Sequence, residues 1–150
     1  MRVKYEKLLK YPHLRPEETL IWNKFIDKYP DYFEEVEYDV TVGTPSLPPG
    51  ELPENYKRMW EYLTKKKIDV VGYSEGKVFI VEIEPNADIR GIGEVLAKRD
   101  LFKEEHPGFR DYFAVLVTDY EKPDVRRLCG SYKIISVSYT HLTLPTILLV

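Results

Sequence analysis

Three carboxylates lie within or directly after the two apolar runs of one short stretch, residues 67–87, which reads KIDVVGYSEGKVFIVEIEPNA. Asp69 lies in a first apolar, β-branched run, Glu82 lies in a second, and Glu84 directly follows the second. Such runs are typical of buried strands, where an unpartnered carboxylate is unfavourable. Like charges that face each other are also unfavourable unless a cation lies between them. The residue types therefore predict a metal site formed by these three carboxylates.

A tight turn is predicted between the two runs, because the sequence there reads SEGK and its Glu-Gly centre suits a two-residue hairpin turn. If the Ser and the Lys of SEGK face each other, then Asp69 faces Glu82 across the hairpin. In the same register Lys67 faces Glu84. Alternation along a strand also places Glu82 and Glu84 on one face. We therefore expect the three carboxylates and Lys67 to lie on one side of a β-hairpin.

The elements around this hairpin follow from the apolar periodicity. Residues 1–14 show no clear period and are expected to be a loosely ordered lead-in. A hairpin combined with helical crossovers predicts an α/β fold with a mixed β-sheet flanked by helices, in the order α-β-α-β-β-α-β-α-β. The predicted helices are 16–29, 54–66, 88–105 and 123–129, and the predicted strands are 35–42, 68–73, 78–83, 112–118 and 133–137.

Composition limits the classes of protein. The chain has 150 residues, which suits one domain, and a net charge of −3, so contact with nucleic acid must come from a local basic patch. Its single cysteine, Cys129, excludes an internal disulfide bond. We see neither a membrane-span pattern nor a signal-peptide pattern, so the expected location is the cytoplasm, without a membrane partner.

Residues 137–146 read VSYTHLTLPT and resemble the conceptual translation of a transposon-end sequencing adaptor. This resemblance predicts a single domain over 1–136 and an artefactual tail over 137–150, from an open reading frame that runs off a contig. The alternative is a genuine last strand, since residues 142–150 are apolar and rich in strand-forming types. The underlying nucleotide sequence decides between the two.

The acidic hairpin followed by a helix resembles the PD-(D/E)xK nuclease superfamily, whose restriction-endonuclease-like core would cover residues 16 to about 137. The segments IDVVGY and FIVEIEPNADIRGIGEVL also resemble uncharacterised nuclease-like proteins of phage and thermophiles. The resemblance implies hydrolysis of DNA phosphodiester bonds with Mg²⁺ or Mn²⁺ as cofactor. It implies that Asp69 and Glu82 are the metal ligands.

Glu84 occupies the position where that superfamily usually has a catalytic lysine. Three explanations stay open: Glu84 is itself a ligand or general base, the catalytic cation has migrated to Lys67 or Lys98, or the site has decayed. Lys98 also lies four residues after Glu94 on one helix face, a spacing that is typical of a surface ion pair. Glu18 matches an extra acid found in relatives, or it is favourable charge at a helix N-terminus.

Contacts with DNA phosphates are predicted for Lys65, Lys66 and Arg99, which flank the acidic stretch along the chain. Two other functions remain: a catalytically inactive DNA-binding or assembly module of the same fold, and a dimeric structural protein of a phage. A homodimer is compatible with each. A lysine ammonium close to the carboxylates would favour the nuclease, whereas an exposed apolar patch far from them would favour the structural protein.

Overall fold

The computed structural model describes residues 1–139, which form a mixed sheet of six strands with four helices. The first four strands form an antiparallel meander, and the fifth and sixth add parallel strands after helical crossovers. The strands are β1 (Val3–Lys4), β2 (Glu35–Val42), β3 (Lys66–Ser74), β4 (Lys77–Ile83), β5 (Asp111–Thr118) and β6 (Ile135–Ser138), and they neighbour one another in this order. The helices are α1 (Pro16–Lys28), α2 (Glu54–Thr64), α3 (Ile89–Glu105) and α4 (Pro123–Ser131).

The predicted α/β class and element order are confirmed, with one added strand at the start of the chain. The lead-in contains β1, because Val3 and Lys4 pair with β2. At the other end β6 runs through Ser138, and Tyr139 packs in the core, so the predicted domain boundary at 136 falls inside a strand. Residues 140–150 lie outside the described residues, and the adaptor origin of the tail stays a prediction.

Apolar side chains cover both faces of the sheet. On one face, α1 contributes Trp22 and Phe25, which pack with Phe33 and with the residues of β4 that point to that side. On the other face, α3 and α4 cover the alternate residues of the same strands, including Ile80. The two central strands are therefore held from both sides. No helix within residues 1–139 is long and apolar enough to span a membrane.

The hairpin has the predicted register. Ser74 pairs with Lys77, and the ladder continues to Val70 and Val81. Glu75 and Gly76 have φ angles of 52° and 76°, the left-handed values that a tight hairpin turn requires. The turn chemistry therefore determines which residues of β3 and β4 face each other.

The predicted pair of Lys67 and Glu84 is wrong. Pairing between β3 and β4 ends at Val70 and Val81, and Lys67 pairs instead with Thr41 of β2. The chain leaves β4 after Ile83, and the Glu84 N–H donates to the Val117 carbonyl of β5. Neither residue continues the hairpin ladder.

Gly72 of β3 provides a test of the aromatic core. A Cβ at this position would lie 2.5 Å from the ring of Phe33, which is itself packed against Phe25 and Phe79. We expect Gly72→Ala to lower the free energy of unfolding by about 1–3 kcal/mol, because the ring has little space to move. Gly50→Ala is the control, since a Cβ there meets nothing within 4 Å. Equal urea-unfolding curves for the two variants would contradict the packing described.

Candidate functional site

Asp69 and Glu82 lie side by side where the β3–β4 ladder ends. Each carboxyl group shifts the pKa of the other, so the two groups lie close together. The backbone N–H of Ile83 donates to Asp69 Oδ2 at 2.9 Å, so a side chain replaces the next bond of the ladder. Only 8% of Glu82 is exposed. The hairpin therefore presents two adjoining, largely buried carboxylates at the end of two central strands.

Lys98 is the cation that the structure brings to this pair. It lies on α3, which crosses the same face of the sheet, and its Nζ is 3.1 Å from Glu82 Oε1. Its contact with Glu94 Oε2 is longer, at 3.9 Å. The Lys98 side chain is 13% exposed, and Glu94 is 54% exposed. The surface pair predicted from the helix spacing is thus the weaker of the two contacts.

The two carboxylates have an electrostatic environment unlike that of surface acids. Burial raises the pKa of Glu82 well above its ordinary value, the Asp69 charge raises it further, and the Lys98 ammonium opposes both. Burial also raises the pKa of Asp69, and the Ile83 N–H partly offsets this. Because two carboxylates share one ammonium, the cluster has an excess of one negative charge when both are ionised. A proton or a further cation would relieve it.

Glu84 lies apart from this pair, towards the start of α3. Its Oε2 occupies the space that a Cβ of Gly91 would fill, so the glycine allows the carboxylate to approach the helix. Burial raises the pKa of Glu84, and the charges of Asp88, Glu94 and Asp69 raise it further. Among the described residues, no three Asp, Glu, His or Cys side chains are grouped to hold one ion. The structure therefore brings together two of the three predicted ligands.

Lys67 is directed away from the carboxylates. Its Nζ donates to the Tyr62 carbonyl at 2.5 Å and to the Lys65 carbonyl at 3.3 Å, and it lies over the Tyr62 ring. These contacts attach the start of β3 to the end of α2. Of the two lysines that the sequence offers as the catalytic cation, Lys98 is the one that contacts Glu82.

Glu18 contributes to the start of α1, as one of its two interpretations predicts, and its role as an extra acid of a metal site stays a prediction. Its Oε1 accepts a hydrogen bond from the Arg15 N–H at 2.8 Å, and Oε2 lies 3.3 Å from the Arg15 guanidinium, so it caps the start of α1. Its charge also contributes to the raised pKa of Asp69. The first helix therefore adds negative potential to the site.

A cleft of about 400 Å³ lies between the start of β3 and α3, and Lys98 is one of the residues that line it. Two of the predicted DNA contacts, Lys65 and Lys66, lie in it, but Arg99 lines a different depression and its Nε contacts Asp100 at 3.1 Å. The full lining is Lys65, Lys66, Lys67, Gly93, Glu94, Ala97, Lys98 and Leu101. The sequence analysis did not predict that α3 forms one side of this cleft. The small residues Gly93 and Ala97, four positions apart beside Lys98, were the pattern that could have indicated it.

Comparison with protein-family models, curated proteins and solved structures finds no match. The interpretation of the site therefore depends on its chemistry. Mg²⁺ commonly binds one or two protein carboxylates and completes its shell with waters and substrate phosphates. The adjoining carboxylates of Asp69 and Glu82 match that donor set, and their excess negative charge suits a divalent cation.

The charge crowding predicts a pH-dependent stability. Both pKa values are raised, so the folded state binds protons more tightly than the unfolded state. The two protonated carboxyl groups contribute fully to the free energy of unfolding below the ordinary carboxyl pKa. This contribution is lost as the pH rises through the pKa values of the folded state. In EDTA we expect Asp69→Asn to be more stable than wild type at pH 8, by about 0.5–2 kcal/mol. An Asn can still accept from Ile83 and donate to Glu82.

The comparison uses urea unfolding at pH 4 and pH 8, with Glu104→Gln on the exposed side of α3 as a control. The advantage of Asp69→Asn should shrink towards pH 4, and the control should track wild type at both. A variant less stable than wild type at pH 8 would show that the two carboxylates do not repel each other as described.

Proposed function

We propose that this chain is a metal-dependent nuclease that hydrolyses DNA phosphodiester bonds. The observation that supports it is the pairing of the buried Glu82 carboxylate with the partly buried Asp69 carboxylate, with the Lys98 ammonium 3.1 Å from Glu82. Buried like charges are unfavourable for folding, and such arrangements are found where a function requires them. The order helix, three-stranded meander, helix and parallel strand also supports a restriction-endonuclease-like core.

Each side chain of the site has a separate role in this proposal. Asp69 and Glu82 would hold Mg²⁺ or Mn²⁺, and a bound divalent ion supplies Lewis acidity towards a phosphoryl oxygen. The Ile83 N–H fixes the Asp69 carboxylate on the rigid strand β4. Lys98, held by Glu82 and Glu94, provides a positive charge beside the position of the phosphate and takes the place of the family lysine. A cytoplasmic location belongs to the same proposal.

An inactive DNA-binding module is the second candidate. The Lys98–Glu82 ion pair favours it, since a direct ammonium–carboxylate contact already satisfies part of the charge that a metal would neutralise. The basic cleft would serve this function equally well. The two candidates differ only in turnover, and one assay separates them.

The test is cleavage of plasmid and single-stranded DNA with Mg²⁺ or Mn²⁺, with EDTA as the metal-free control. We expect Asp69→Asn to abolish cleavage and Lys98→Gln to reduce it about 10²–10³-fold, the usual effect of removing one group that stabilises transition-state charge. Lys67→Gln should cause a smaller loss, because its ammonium is bound to the Tyr62 carbonyl. Lys103→Gln, an exposed lysine further along α3, is the matched control.

Cleavage that persists in EDTA or in Asp69→Asn would contradict the assigned site. Protein that is folded and binds DNA but never cleaves it would favour the inactive module. Equal losses in Lys67→Gln and Lys98→Gln would show that the ammonium closest to Glu82 has no special role.

A further inference from the structure

The cleft beside Lys98 has a charge opposite to that of the whole protein. Four lysines and one glutamate line it, whereas the chain has a net charge of −3. Within residues 1–139, neither Lys65 nor Lys66 forms an ion pair. Lys67 contacts carbonyl oxygens, which leave its charge uncompensated. The cleft is therefore suited to an anionic ligand.

The α3 side of the cleft carries an apolar strip beside Glu94 and Lys98. Gly93, Ala97 and Leu101 recur every four residues and so lie on one face of α3. Gly93 is exposed, and a Cβ built on it meets nothing within 4 Å. A flat apolar group can approach this strip closely, because no side chain projects from its first position.

A nucleotide combines an anionic phosphate with a flat base and so matches both walls of the cleft. The cleft volume of about 400 Å³ lies within the range of small-ligand sites, which is about 300–1,000 Å³. In a duplex the bases are stacked and paired, so their flat faces are not available to such a wall. Unpaired bases, in contrast, can lie against apolar or aromatic side chains while basic residues contact the backbone.

We propose that the cleft binds an unpaired nucleotide of a single DNA strand. Its base lies on the strip of Gly93, Ala97 and Leu101, and its phosphates lie at Lys65 and Lys66. That the ligand is DNA rests on the proposed function. The inference adds the substrate class, which is single-stranded DNA rather than an intact duplex. Lys98 lines the cleft and also contacts Glu82. A DNA strand in the cleft therefore passes beside the proposed catalytic site.

The test is binding measured by fluorescence anisotropy in EDTA, with the full chain and no turnover. The probes are a labelled single strand of mixed sequence and the same strand annealed to its complement. We expect the single strand to bind at least about tenfold more tightly. Gly93→Leu fills the strip with a good helix-forming residue and should weaken single-strand binding about tenfold. Gly50→Leu adds the same side chain in open space outside the cleft and is the control.

Lys66→Gln tests the phosphate contacts separately. It should lower the slope of log affinity against log salt concentration by about 0.7, the value for one phosphate contact on a single strand. Lys10→Gln, an exposed lysine before α1, should leave the slope unchanged. Circular dichroism of each variant establishes that it is folded.

Two results would overturn the inference: duplex binding as tight as single-strand binding, or a folded Gly93→Leu that binds the single strand like wild type. Because the measurement needs no metal, it is independent of cleavage. Loss of single-strand binding in Gly93→Leu supports the cleft even if wild type never cleaves DNA. Cleavage by wild type together with unchanged binding by Gly93→Leu refutes the cleft and leaves the nuclease proposal intact.

Discussion

The contact between the Lys98 ammonium and the buried Glu82 carboxylate, with Asp69 beside it, is the interaction on which the site depends. Removing one partner of such a buried pair costs about 3–5 kcal/mol, because the remaining charge has no compensation. Glu82 and Asp69 are fixed by adjacent central strands, and Lys98 is fixed by a helix packed on those strands. The three groups can therefore hold their relative positions without support from flexible loops.

The fold positions these groups through two different kinds of connection. A tight turn joins β3 and β4, so Asp69 and Glu82 are close both in sequence and in space. The crossover from β4 to the parallel strand β5 requires a long connection over one face of the sheet, and α3 forms that connection. The Asp88 side chain accepts from the Arg90 N–H at 2.9 Å and so caps the start of α3. Lys98 then lies over the carboxylates because of where the crossover begins.

The contrast between the local β3–β4 turn and the longer β4–β5 crossover explains which parts of the site the sequence could predict. The SEGK turn determines the hairpin register, so the proximity of Asp69 and Glu82 followed from local rules. The position of Lys67 did not, because it depends on pairing with β2 and on the end of α2, both of which are distant in sequence. Choosing Lys98 over Lys67 required the path of α3 across the sheet. β1 was missed because two residues are too few to show a period.

Binding of Mn²⁺ measured by calorimetry, without DNA, tests the central claim most directly. The account predicts that wild type binds one ion per chain and that Glu82→Gln shows no measurable binding. Glu84→Gln should still bind the ion, because the Glu84 side chain lies against Gly91 and not beside Asp69 and Glu82. Equal binding by wild type and folded Glu82→Gln would contradict the assignment of Asp69 and Glu82 as the metal site, as would wild type that binds no ion.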